Sequence, residues 1–455
     1  MSAPATASPA GGLTVIRRLR SREGRAHALA ALRGSDTGKA AGLAAAMIGN
    51  NLIALACTIV FARELSDYGS LGALISYLLI LTVAGQAMQV ASAREGALGR
   101  LGLGRDLVAT LRCWTRTLIV LTALLTAGSV LARQQIADAV GVGHYPWGAA
   151  IGIPAGCLYL ELSLLRGALQ GVGDYRSVGI SLVGEQASRL LAGAILAAGA
   201  GVTGAYLGSL CSYVAMSAYC ALQVARYARR YEAGAHPHPE RSELARSLWA
   251  HVKRAGAPIG GLVVIAVLQN IDIIAAKHQF GERLASSYAA VAVAAKVLIW
   301  VAMGAGFYLV PEVSRRRAEG LDTRAVLLKS LAIVLVCAVP VLLIYGGASH
   351  LLISSVFGAA KAGASDSLII LGLAFAVLAC TYLAIQYMLA LKRAWFLLGV
   401  GAVALAEPAL LLNASHRPAS FAAVVLGVQV LAALIAFALA LRPERGRLEQ
   451  PELNG

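Results

Sequence analysis

Apolar positions in this chain run in blocks of about twenty, and the polar residues gather in short connections between them. Charge-free stretches such as 40–62, 68–93, 367–391 and 418–441 each meet the ~20 residues that a helix rising about 1.5 Å per residue needs to cross a ~30 Å hydrocarbon core. Read along its whole length, the pattern predicts twelve spans, at about 41–62, 70–93, 109–132, 147–165, 176–198, 203–225, 255–276, 285–310, 327–346, 367–390, 394–413 and 419–441. The fold class this predicts is an all-α polytopic membrane protein.

Composition agrees, with 58% hydrophobic and 14% charged residues, against about 25% charged in soluble domains, and a mean hydropathy of +0.71. A net charge of +16 would suggest nucleic acid in a soluble protein. Here 31 of the 39 Lys and Arg fall on one set of alternate connections and tails and 6 on the other, with Arg189 and Lys296 inside spans. The bias predicts cytoplasmic N- and C-termini and assigns the excess charge to topology and anionic inner-leaflet lipid, with no nucleic-acid partner. Residues 1–39 carry seven basic residues and no apolar h-region, and are expected to be a flexible basic cytoplasmic tail. The seven cysteines show no metal-ligand or CxxC spacing and are expected to pack as small apolar residues.

A basic stretch over 226–253 divides the spans six and six, as in a duplicated transporter. The expected organisation is an N-lobe over 40–225, a cytoplasmic inter-lobe loop over 226–253, a C-lobe over 254–441 and a cytoplasmic tail over 442–455. Glycines recur at helical spacing, as at Gly148, Gly152 and Gly156, where helices can approach closely. Within the spans, polar side chains are costly and point to function. They are Asn50 and Asn51 in span one, Gln86 and Gln89 in span two, Glu185 and Arg189 in span five, Gln269, Asn270 and Asp272 in span seven, and Lys296 in span eight. Glu185 and Arg189 are spaced i, i+4 and can neutralise each other as a structural pair. Glu161 near Arg166, and Glu407 before Pro408, are ambiguous. The run His236-Pro237-His238-Pro239 reads as an extended linker. No nucleotide-binding loop, catalytic constellation or metal cluster is visible, so neither an enzyme nor a metalloprotein is expected.

Two segments carry a resemblance. One reads Arg63-Glu64-Leu65-Ser66-Asp67-Tyr68-Gly69 and the other Arg166-Gly167-Ala168-Leu169-Gln170-Gly171, followed by Asp174-Tyr175-Arg176. With Asn270-Ile271-Asp272 and Val310-Pro311-Glu312-Val313-Ser314 in order against the spans, the chain resembles the polysaccharide-transporter branch (O-antigen/oligosaccharide flippase, Wzx-type) of the multidrug/oligosaccharidyl-lipid/polysaccharide (MOP) exporter superfamily. The resemblance implies two six-helix lobes in a V-shaped bundle, with spans one, two, seven and eight lining a cavity open alternately to either side. It also implies the cargo, an undecaprenyl-diphosphate-linked oligosaccharide flipped across the bacterial cytoplasmic membrane for cell-surface polysaccharide synthesis. Polysaccharide polymerase and glycosyltransferase machinery would be its partners.

A diphosphate and glycan need a hydrated, preferably cationic path. Lys296 is therefore read either as a diphosphate contact or as a buried ion pair with Asp272, and Asp272 as a possible site of proton or sodium coupling. Arg63, Asp67, Tyr68 and Gly69, with Arg166, Gln170 and Gly171, are the gate and loop candidates. The alternative within the fold is a cation-coupled drug exporter. A remote one is a membrane glycosyltransferase using Glu64 and Asp67, for which no outside loop is long enough to build an acceptor domain.

Overall fold

Helix forms wherever the sequence offers an apolar block, because only a helix satisfies its own backbone hydrogen bonds in hydrocarbon. The computed structural model describes residues 36–233 and 248–442, and no strand occurs among them. The first half contains α1 (Asp36–Glu64), α2 (Tyr68–Ala97), α3 (Arg105–Leu131), the short α4 (Arg133–Val140), α5 (Pro146–Gly171) and α6 (Tyr175–Ala233). The second contains α7 (Leu248–Arg254), α8 (Gly256–Gln279), α9 (Glu282–Ala295), α10 (Val297–Ala318), α11 (Arg324–Phe357), a 3-10 helix (Ala359–Ser367), α12 (Leu368–Ala390), α13 (Phe396–Leu412) and α14 (Pro418–Ala440).

Ten helices are long and apolar enough to cross a membrane. One of them, Tyr175–Glu232, has 58 residues, about twice one crossing. Its backbone leaves the helix at Ala200 and at Gly201, whose φ of +52° suits glycine, and it doubles back so closely that Gly208 packs on Gly193. That break separates spans five and six. The 17-residue α13 adds the crossing that falls short of the ten. Twelve crossings return the chain to the end where it began, here termed the terminal end; the opposite one is the far end.

Several boundaries differ from expectation. α6 runs to Ala233 rather than stopping near 225, and α4 lies between spans three and four. Span eight is two helices, because the backbone turns at Lys296 between α9 and α10. The expected basic tail, the His-Pro run and most of the last tail lie outside the described residues.

Within the first lobe α2 packs along α5, and α1 along α6; in the second, α12 packs on α14 and α8 on α13. Small residues set the spacing. Gly148, Gly152 and Gly156 face Leu74, Tyr77 and Leu81 of α2, and a Cβ at Gly171 would sit 2.7 Å from the Gly96 Cα. The glycines of the Arg166–Gly171 segment thus let two spans touch backbone to backbone. On the periphery, α3 and α11 expose Ile119, Leu124, Val336 and Leu343, as surfaces facing lipid do.

Candidate functional site

The lobes are clasped at the far end by the segment Arg63–Gly69. Asp67 caps α2, accepting from the Ser70 N–H at 3.1 Å and the Ser70 hydroxyl at 2.7 Å, and it pairs across the lobes with Lys277 at the end of α8, 2.9 Å away. Lys361 Nζ donates to the carbonyls of Leu65 and Ser66 at 3.2 Å each. Arg63 donates to the carbonyls of Ser355 and Val356. Gly69 N–H donates to Ser286 Oγ at 2.9 Å, and a Cβ at residue 69 would lie 2.9 Å from the Ser286 nitrogen, so only glycine fits. Tyr68 is buried beneath Lys361, whose Nζ is 5.9 Å from the ring centroid. Glu64 is exposed.

Burial raises the pKa of Asp67, but the hydrogen bonds from Ser70 and Lys277 outweigh it, and the carboxyl is held below its ordinary value. The charge of this clasp is therefore fully present above the ordinary carboxylate range and is lost only as pH falls through the lowered value.

Gln86 and Val90 on α2 and Tyr308 on α10 are exposed, and a Cβ at Gly304 would meet nothing within 4 Å. Among the described residues, the side-chain hydrogen bonds between the halves of the chain at the terminal end come from α7. His251 Nε2 lies 3.1 Å from Ser92 Oγ of α2, and its ring stacks on Trp114 of α3 at 5.0 Å.

In the first lobe Arg166 is wholly buried. Its Nη1 bonds Glu185 at 2.7 Å, its Nε bonds Ser181 Oγ at 2.8 Å, and its Nη2 bonds the Ser181 carbonyl at 2.8 Å. This corrects the expected Glu185–Arg189 pair: the i, i+4 spacing permits it, but the guanidinium arriving from α5 takes the carboxylate. Arg166 is accordingly packed in the core of this half. Arg189 is half-buried and has no carboxylate within 4.0 Å among the described residues. It lies within electrostatic reach of Cys57 in α1, Tyr68 at the start of α2, and Tyr206 and Tyr213 in α6. Gln89 bonds Gln170 at 3.2 Å, tying α2 to α5, so it does not share the exposure of Gln86. Asn50 and Asn51 bond each other at 3.2 Å and are half-buried.

In the second lobe Asp272 is wholly buried and pairs with Lys296 Nζ at 3.3 Å, with the Tyr288 hydroxyl 3.4 Å away. Lys296 also sits over Phe375, 5.3 Å from the ring centroid. The ion pair expected of it is thus present. Asn270 is buried and bonds the Ala266 carbonyl at 2.9 Å, and Gln269 is half-buried.

Beside this pair is a group that sequence reasoning left undecided. Glu407 and Gln429 are wholly buried. Gln429 Nε2 bonds the Leu268 carbonyl at 2.8 Å and Glu407 Oε1 at 3.4 Å, while Glu407 Oε2 and Gln429 Oε1 have no hydrogen-bond partner. Glu407 lies within electrostatic reach of Tyr288 and Lys296. The signal in the sequence was a lone acid in the apolar run before Pro408. Among the described residues no group of His, Cys, Asp and Glu is arranged to hold a metal.

No family model and no curated protein matches the sequence. Solved structures do. An inward-facing multidrug resistance MATE family transporter of the MOP superfamily superposes with a TM-score of 0.64 at 15% identity, covering 86% of this chain and 93% of that one. The fold is that of the MOP-superfamily transporters. The lipid II flippase MurJ, in an inward closed conformation, gives 0.64 at 13% identity over 88% of each chain. A MATE transporter of this superfamily in an outward-facing conformation gives 0.53 at 14% identity, over 90% and 96%. Against that fold, the clasp joins the two halves of the chain at the far end, and Gln86 is exposed.

Proposed function

We propose that this protein flips an undecaprenyl-diphosphate-linked oligosaccharide across the bacterial cytoplasmic membrane by alternating access. The observation that carries the reading is Arg189, a cation inside the first lobe with no carboxylate partner among the described residues. Leaving a lone guanidinium within a span is costly, and a diphosphate is the partner its planar fork suits. Arg166 and Lys296, by contrast, are neutralised by Glu185 and Asp272. On this reading the far end is the outer face, as the distribution of basic residues predicts. The bonds of Asp67, Lys277, Lys361 and Arg63 keep the outer gate shut while cargo enters from the cytoplasm. Opening the gate trades these bonds for closure at the terminal end.

Transport needs a source of energy. The same reading assigns proton or sodium coupling to the second lobe, where Asp272 and Glu407 are buried carboxylates and one oxygen of Glu407 has no partner. These carboxylates also favour a second reading, a cation-coupled small-molecule exporter. Against it, the stretch of α1 between Lys39 and Arg63 contains no acid.

The test is translocation of a labelled polyprenyl-diphosphate oligosaccharide in proteoliposomes. Wild type should flip it, and Arg189→Gln should lose at least tenfold in rate with an unchanged melting temperature, while Lys296→Met paired with Asp272→Asn should keep most of the downhill flipping measured without an imposed gradient. Failure of well-folded wild type to flip any such lipid, under imposed proton or sodium gradients, would sink the flippase reading and favour the exporter.

A further inference from the structure

We propose that the terminal end of the second lobe carries a binding site for a phosphate ester, of the kind an anionic phospholipid headgroup presents. A cavity of about 290 Å³ opens there where α10, α12 and α14 end and α11 begins. Arg317, Arg324, Arg393 and Arg442 line it, together with the hydroxyls of Thr323 and Tyr387, which bond each other at 2.8 Å. Asp322 is the carboxylate in its described lining, and the backbone N–H of Arg324 donates to it at 3.0 Å.

The guanidiniums are pinned by main-chain carbonyls. Arg324 Nη2 donates to Leu441 O at 3.2 Å, Arg393 Nη1 to Arg442 O at 3.3 Å, and Arg317 Nη1 to Leu391 O. Arg324 and Arg442 bring two like charges to one small space, which is unfavourable unless an anion occupies it, and a guanidinium has five donors in a fork that fits phosphate. The cavity also lies at the first turn of the 34-residue α11, whose positive dipole end adds to the field.

Lys392 has a φ of +54° in the turn after α12, where its N–H donates to Leu389 O and that of Arg393 to Met388 O. That left-handed position costs glycine least, yet it holds a lysine beside the arginines. The height is right for a headgroup: the lining residues flank membrane spans, and Trp395 nearby is 76% exposed, as interfacial tryptophans are. The proposal depends on the chain lying in a membrane and not on what it transports.

The full-length protein, purified in phosphatidylcholine nanodiscs or detergent, would be probed with phosphatidylglycerol and, separately, inorganic phosphate, reading retained lipid by native mass spectrometry and melting temperature. Wild type should retain phosphatidylglycerol, the double variant Arg324→Gln/Arg442→Gln should retain at least fivefold less at unchanged melting temperature, and Arg315→Gln, whose side chain is exposed and paired with Glu312 and Glu319, should match wild type. Competition by millimolar inorganic phosphate would assign the site to free phosphate, with the same chemistry. If the double variant does not fold, Arg442→Gln alone should show the loss. Equal retention by wild type and the variants, or retention that appears only after residues 443–455 are removed, would overturn the proposal, the latter because carboxylates of that tail would be the occupant.

Discussion

The two lobes bury opposite kinds of polar core. In the first, Arg166 meets Ser181 twice and Glu185 once, and both carboxylate oxygens of Glu185 are engaged, by Arg166 and by Gln186 at 3.3 Å. The atom this network leaves without a partner is a neutral one, Gln186 Oε1, as are the buried hydroxyls of Ser163, Tyr206, Ser209 and Ser217 elsewhere in the same half. In the second lobe Asp272 and Lys296 are joined by one bond of 3.3 Å, and Glu407 keeps an oxygen with no partner. A satisfied charge network rigidifies what surrounds it, whereas a partly satisfied one stays sensitive to anything that supplies the missing partner. The first core fits a scaffold holding α5 to α6. The second leaves Glu407 with an oxygen that a proton or cation could still satisfy.

The largest effect should come from cutting the complete network. Arg166→Met leaves Glu185 buried and ionised without its partner, a change that costs about 3–5 kcal/mol. Loss of monodisperse protein on size-exclusion chromatography is the expected result. Adding Glu185→Gln should recover much of that loss, because the orphaned charge is then gone. Normal yield for Arg166→Met, with transport abolished, would instead make Arg166 a cargo contact and erase the distinction between the lobes.

A smaller effect is expected at the looser pair. Lys296→Met or Asp272→Asn alone should cost about 2 kcal/mol, the scale of one unmade hydrogen bond to a buried charge. The double variant should lie within about 1 kcal/mol of wild type in a denaturation cycle read by melting. Additive losses in the cycle would show that the two residues do not act on each other, against the 3.3 Å geometry.

Legibility in the sequence followed the same divide. The apolar blocks fix the crossings, because hydrocarbon leaves the backbone no other way to satisfy itself, and Asp272 with Lys296 was readable as a pair because two opposite charges lay in adjacent spans. Partner choice elsewhere was not readable. Glu185 has a permitted neighbour one turn away in Arg189, and only the packing of α5 on α6 delivers Arg166 to it instead. Glu407 could not be weighed from sequence, since nothing local shows that Gln429 will reach it from α14 while leaving one oxygen bare. The clasp was visible as the motif Arg63–Gly69, but its partners Lys277 and Lys361 stand more than two hundred residues away.

The smallest effect on stability, and the sharpest test of the comparison, belongs to Glu407→Gln. Its Oε2 makes no hydrogen bond to lose, and the amide can still meet Gln429 through its oxygen. The change also replaces an acid whose ionisation at this burial is unfavourable with a neutral amide of similar size. Melting should therefore move by less than about 1 kcal/mol equivalent, in contrast to the collapse expected for Arg166→Met. If Glu407 binds the coupling cation, flipping by this variant should no longer respond to an imposed proton or sodium gradient, while downhill flipping continues. A strongly destabilised variant would mean that Glu407 is as structural as Glu185. A stable variant that still follows the gradient would remove the coupling role and leave the bare oxygen of the second lobe without a function.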